Sequence, residues 1–198
     1  SYCDLRSVVL PQSMTSIGSN AFYHNKNLEQ INIPNSITKI EYGTFSGCNL
    51  SEIKLPDNLI WIESGAFESN PLTSLVIPDK VEYIGSNAFK NDYNNSWWNG
   101  NLTNIIIGKS IQQIGSGAFY NSKLGVDFDS FLIFNPGIVY TVTSYAEMPP
   151  NITGGDAFPY KAAEKGKLYI LKGCRDLYAK KGDIDPNFGI VIEPKWGN

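Results

Sequence analysis

"IGSNAF" occupies residues 17–22, and the same six letters return at 84–89. "IESGAF" stands at 62–67 and "IGSGAF" at 114–119. Four related copies in 198 residues make repetition the first thing to explain. Aligned on the phenylalanine that ends the motif, five positions fall into line: Phe22, Phe45, Phe67, Phe89 and Phe119, at steps of 23, 22, 22 and 30 residues. The register holds outward from that anchor. Ile17, Ile40, Ile62, Ile84 and Ile114 stand five positions earlier. Eleven positions earlier come Pro11, Pro34, Pro56 and Pro78, with Gly108 in the last copy. Six before those lie Leu5, Leu28, Leu50, Leu72 and Leu102. All variation in length falls between a phenylalanine and the next leucine.

Each unit predicts a short strand first. Ile31 with Ile33, and Leu75 with Ile77, show the two-residue period of extended chain. Proline then ends the strand, because it fixes φ and has no N–H to give to a ladder. A second apolar pair, Ile37 with Ile40 or Val81 with Ile84, predicts another short extended stretch. Serine, asparagine and glycine beside Ala-Phe predict a tight turn or a single helical turn. The residue after the isoleucine is Gly18 or Gly85 but also Glu41 or Glu63, so that position carries no strict left-handed requirement.

One such unit cannot bury its apolar face alone, whereas stacked units can. Equivalent residues of neighbouring units then lie about 4.8 Å apart on parallel strands. The phenylalanines become a ladder through a narrow core, each burying roughly 150–250 Å².

The pattern L-x-x-I-x-I-P-x-x-[IVL]-x-x-I-[GE]-x-x-[AT]-F resembles the BspA-type leucine-rich repeat, tightly over residues 5 to 124. The resemblance implies a right-handed leucine-rich-repeat solenoid, a β-dominated parallel stack with short helical turns. It also implies an exported bacterial protein, at the cell surface or secreted, linked to adhesion and host contact. Cys48 matches a frequent cysteine of that family three residues after the phenylalanine, where Asn25 and Asn70 stand in other copies, which implies a structural rung. Segments "YAEMPP" at 145–150, Phe158, "KLYILKG" at 167–173 and "LYAKKG" at 177–182 look like the family's C-terminal closing unit. The expected organisation is one continuous domain: repeats over 1–123 starting near residues 5, 28, 50, 72 and 102, a degenerate transition over 124–144, and a cap over 145–198. The first repeat starts almost at once with no comparable cap, so a chain trimmed at its N-terminus is expected.

Candidate chemistry is sparse. The one histidine, His24, follows the first phenylalanine at a variable loop position, and no nucleophile motif accompanies it. The glycines sit at repeat positions rather than in a phosphate cradle. Cys3, Cys48 and Cys174 are odd in number with no CxxC pair, which argues against a disulfide framework or a zinc site. No metal or cofactor is expected. Glu41 and Glu63 hold equivalent places in adjacent units, at about the 5 Å separation that retaining glycosidases use. Trp61 and Tyr42 lie beside them as sugar-stacking residues would. Like residues on any two neighbouring rungs stand this close, so a glycosidase is only a remote reading, and the chain is expected not to be an enzyme.

Binding candidates are better founded. The 30-residue step holds the insertion "KNDYNNSWWNG" at 90–100, with Tyr93, Trp97 and Trp98 among asparagines. Solenoid insertions emerge as loops, often on the binding face. The two tryptophans form either an aromatic platform for a glycan or protein, or a lid folded back on the stack. On the strands, outward positions read Ser7, Gln30, Glu52, Ser74 and Asn104, then Val9, Asn32, Lys54, Val76 and Ile106. Val76 and Ile106 make a modest apolar patch, a further candidate surface.

A net charge of −3 and a pI near 5.2 do not favour nucleic acid or an anionic membrane. Apolar runs such as Phe131–Phe134 are far too short to span a bilayer. Residues 161–181 carry seven basic and two acidic side chains, a solvated lysine-rich face or a contact for an acidic partner. The leading expectation is a recognition or adhesion module for a host or matrix protein; the alternative is carbohydrate binding centred on Trp97 and Trp98.

Overall fold

The computed structural model describes residues 5–91, 102, 104–120, 141–144, 146, 150–152, 167–169 and 191–192. The repeats stack as rungs, numbered one to five by their phenylalanines. The first strand of a rung is β1 (Ser7–Val9), β2 (Gln30–Asn32), β5 (Ser74–Ile77) or β7 (Asn104–Ile107). The second is β3 (Lys39–Ile40), β4 (Trp61–Ile62), β6 (Tyr83–Ile84) or β8 (Gln113–Ile114). All pairing is parallel and in repeat register, with Leu75 opposite Ile105 and Ile62 opposite Ile84. Each proline begins a turn: Pro34 O accepts from Ile37 N–H and Pro56 O from Leu59 N–H, both at 3.0 Å. Gly108 replaces the proline where the Pro78–Asp79 backbone of the previous rung leaves no room for a Cβ.

Parallel pairing reaches beyond residue 123. Strand β9 (Thr141–Ser144) pairs with β7, and β10 (Asn151–Ile152) with β8, so both sheets gain a further member. Strands β11 (Lys167–Tyr169) and β12 (Val191–Ile192) extend the first sheet again. The resulting orders are β12-β11-β9-β7-β5 for one sheet, β10-β8-β6-β4-β3 for the other, and a separate β1-β2 pair.

No helix occurs among the described residues, and the third side of each rung is made of turns. Its backbone groups alternate in their use. Asn20, Phe22 and His24 donate to Tyr42, Thr44 and Ser46 of the next rung, while Ala21 and Tyr23 donate three residues back within their own. Rungs two to four repeat this pattern, as in Phe45 N–H to Ala66 O at 2.8 Å and Ala66 N–H to Glu63 O at 3.2 Å. A helix would consume all of those N–H groups internally and leave none to tie the rungs together. What prevents a helix is a left-handed residue in every motif: Asn20, Gly43, Gly65, Asn87 and Gly117 have φ between 56° and 64°. Asparagine and glycine are the residues that enter this region at least cost. The requirement lies two positions after the residue where glycine and glutamate interchange.

Inside, the five phenylalanines stack face to face. Successive centroids are 5.4, 5.2, 5.3 and 5.6 Å apart with rings within 18° of parallel. The Phe89–Phe119 step matches the others although 30 residues separate them. The isoleucine and leucine columns are buried with them, except Leu5, partly exposed on rung one. Cys48 and Asn70 fill one column, and each donates to the phenylalanine carbonyl of the preceding rung: Sγ to Phe22 O at 3.1 Å and Nδ2 to Phe45 O at 2.8 Å. Burial pushes the Cys48 thiol up to about 12, against a smaller downward pull from the Asn25 backbone. His24 also sits in a left-handed turn position, with its ring where a Cβ on Gly47 would have to go.

Candidate functional site

The first sheet places Val76 directly opposite Ile106, both on the outward face. Their neighbours Leu75, Ile77, Ile105 and Ile107 turn inward and are buried, as strand alternation requires. Val76 is 57% exposed and Ile106 half-buried, so the two sequence candidates form one contiguous apolar step across rungs four and five.

Beside this step the sheet is interrupted. Strands β2 and β5 are both edges, because residues 52–55 of rung three pair with neither. A cleft of about 630 Å³ lies there, with Ile53, Leu55, Val76 and Pro78 as its apolar lining. Lys54, Lys80, Asp57 and Asp79 also line it and leave it with no net charge. The volume falls within the range of roughly 300–1,000 Å³ usual for ligand clefts. Nothing in "LSEIKL" distinguishes rung three from its neighbours, so sequence reasoning finds Val76 but not the cleft beside it.

The second sheet presents a different row. Lys39, Trp61, Tyr83 and Gln113 stand side by side, outside the buried Ile40, Ile62, Ile84 and Ile114. Trp61 and Tyr83 are in ring contact, centroids 5.0 Å apart and tilted by 36°. The Lys39 ammonium bridges the two carboxylates singled out in the sequence, at 3.0 Å to Glu63 and 3.2 Å to Glu41. Those bonds raise the lysine above its ordinary value, the Glu63 bond most. Glu41 and Glu63 therefore belong to an ion-pair ladder between rungs two and three. The partnership of Trp61 with Tyr83 was readable from their shared column.

Tyr93, Trp97 and Trp98 lie outside the described residues, as do Cys3, Cys174 and all of the basic segment 161–181 except 167–169. Among the described residues no three of His, Cys, Asp and Glu gather as a metal site would need. No helix there is long and apolar enough to cross a membrane.

The family model described as "BspA type Leucine rich repeat region" matches residues 1–125 in six copies. Among solved structures, the pneumococcal vaccine antigen PcpA superposes with a TM-score of 0.69 at 23% identity. The match covers 97% of this chain and 42% of that one, so this chain spans less than half the antigen's length. A leucine-rich repeat protein from Bacteroides ovatus matches at 22% identity and a TM-score of 0.46, over 83% of this chain and 55% of its own. No curated protein matches.

Proposed function

The chain belongs to the BspA-type leucine-rich-repeat family, and from that premise we propose that it is an exported recognition module that binds a host or matrix protein without catalysing a reaction. The observation that carries this reading is the Val76–Ile106 step, outward on the first sheet beside an apolar-lined cleft. Val76 and Ile106 together with the cleft lining make a contiguous apolar surface, the kind that marks an interaction site. A partner side chain filling the cleft would remove both surfaces from water, and buried anchors of that kind carry most of an interface's energy. The repeat scaffold supports the reading because its register fixes outward side chains on a rigid lattice.

Surface plasmon resonance over immobilised fibronectin, laminin and collagen tests it, with Val76→Lys and Trp97→Ala/Trp98→Ala chains run in parallel. Binding to one of these proteins that falls at least tenfold in Val76→Lys, with its melting point kept, is the expected result. Binding untouched by Val76→Lys but lost in the tryptophan double variant would move the site to the 90–100 insertion and sink the cleft assignment.

A further inference from the structure

A second surface stands apart from the first-sheet cleft and owes nothing to it. The outward row of the second sheet is polar where its ends are described, Lys39 at rung two and Gln113 at rung five. Between them rungs three and four carry Trp61 and Tyr83. These rings do not serve the core, whose columns are filled by isoleucine, leucine and phenylalanine. Trp61 is 43% exposed and packs on Tyr83 rather than folding inward.

The polar groups around the rings are unused. Among the described residues, neither the Trp61 indole N–H nor the Tyr83 hydroxyl has a hydrogen-bond partner. Ser64 and Ser86, three positions further along the same rungs, are half-buried, and their hydroxyls have no hydrogen bond among the described residues. At the rung-two end, Lys39 is held between Glu41 and Glu63, so donor and acceptor atoms there are fixed in place. Next to Tyr83 the column of Glu41 and Glu63 continues as Gly85 and Gly115. Both glycines are buried, and a Cβ at either would strike the backbone of the preceding rung, so the carboxylate column ends at rung three.

We infer that this strip is a binding site for an uncharged glycan chain lying along the stack axis, its sugar rings against Trp61 and Tyr83. The C–H faces of a pyranose are weakly positive and meet the negative faces of aromatic rings, while its hydroxyls need donors and acceptors at the ring edge. The strip supplies both. Rungs repeat at about 4.8 Å, and the Trp61 and Tyr83 rings follow that repeat, 5.0 Å apart, as one overlapping aromatic step. The ligand is uncharged because two carboxylates face one ammonium here: a polyanion is repelled, and the excess charge is too small to select a polycation. A protein would also accept exposed aromatics, but these rings stand beside the fixed charges of Lys39, Glu41 and Glu63 rather than beside the apolar-lined cleft of the first sheet.

The intact chain on an array of microbial and mammalian glycans tests this, followed by calorimetry with the strongest neutral oligosaccharide. Trp61→Ala and Tyr83→Ala each weaken that oligosaccharide by about tenfold or more, with melting points kept. Val76→Lys leaves glycan affinity unchanged, so this site and the protein-binding reading fail or stand separately. No neutral glycan bound, or binding indifferent to Trp61→Ala, overturns the inference. Loss of a protein ligand in Trp61→Ala without glycan binding also overturns it and makes the strip a protein contact.

Discussion

The two sheets are built from the same rungs, yet one is continuous from β3 to β10 and the other breaks at rung three. The second sheet needs only two residues per rung, and Ile40, Ile62, Ile84 and Ile114 are wholly buried. On the turn side rungs one to four each donate alternate N–H groups to the next. These two sides hold the rungs at their spacing, so the first sheet can part without loss of the stack. The side under least constraint is where the cleft opens and Val76 stands exposed. The side under most constraint carries the ordered row of Lys39, Trp61 and Tyr83.

If the phenylalanine stack holds the spacing, the largest effect comes from its centre. Phe67 touches Phe45 and Phe89 at 5.2 and 5.3 Å and is almost wholly buried. Phe67→Ala is expected to cost about 3–5 kcal/mol in a denaturant melt, the range for truncating a buried aromatic. A loss below about 1 kcal/mol would mean that the stack does not bear the fold.

Asn70 comes next. Its Nδ2 donates to Phe45 O and Phe67 O, and its Oδ1 accepts from Leu50 N–H, all within the core. Asn70→Ala leaves those backbone groups buried without partners, at about 1–3 kcal/mol. One rung away, Cys48 donates to Phe22 O alone, and Leu28 N–H turns to Asn25 O instead. The thiol sits far above its ordinary value, so in a Cys3→Ser/Cys174→Ser chain it should resist a disulfide reagent at pH 8 until the chain is unfolded. Rapid labelling of the folded chain would show that this column opens.

These contrasts mark what the sequence discloses. Columns of identical residue type announce themselves, and the phenylalanine, isoleucine and leucine columns predict the core and the parallel register. The left-handed column was equally visible as the alternation Asn20, Gly43, Gly65, Asn87, Gly117, but its meaning lies in φ, which only the structure states. The turn construction of the third side follows from it, and it decides between the tight turn and the single helical turn that the sequence leaves open. The first-sheet break has no compositional trace, because Glu52, Ile53 and Lys54 suit a strand as well as Gln30, Ile31 and Asn32 do. It arises from how rungs stack, not from what one rung contains. Of the candidate surfaces, Val76 and Ile106 were legible by alternation, and Trp61 was noticed only for its place beside the carboxylates.

Gly65 gives a smaller and cleaner test of the turn side. Its φ is +63°, and a Cβ there meets only the flexible end of Glu68 at 3.3 Å. Gly65→Ala is therefore a backbone effect, expected to cost about 1–2 kcal/mol. Gly65→Asn should cost less in a chain that also carries Asn87→Gly, because Asn20 and Asn87 hold φ of 57° and 56° in the same column, each with its Oδ1 in the place of a Cβ on the following Gly43 or Gly117. Equal losses in the two variants would remove the conformational explanation of the asparagine–glycine alternation.

The comparison between the sheets can be settled without any substitution, by hydrogen exchange on the native chain. In rung three, Trp61 N–H and Glu63 N–H are bonded to Thr38 O and Ile40 O at 3.2 and 2.9 Å. Ile53, Lys54 and Leu55 of the same rung have no backbone bond to either neighbour. Both segments lie in the middle of the stack and share one core, so global stability protects them alike. Any difference between them is local opening, which separates regions by their bonding and contacts. The amides of residues 53–55 should exchange at least about tenfold faster than those of Trp61 and Glu63. Equal protection would close the break in the first sheet, and the cleft beside Val76 would lose its structural cause. A protein ligand that slows residues 53–55 alone would identify the cleft as its seat, while slowing confined to Trp61 and Tyr83 would place that ligand on the second sheet.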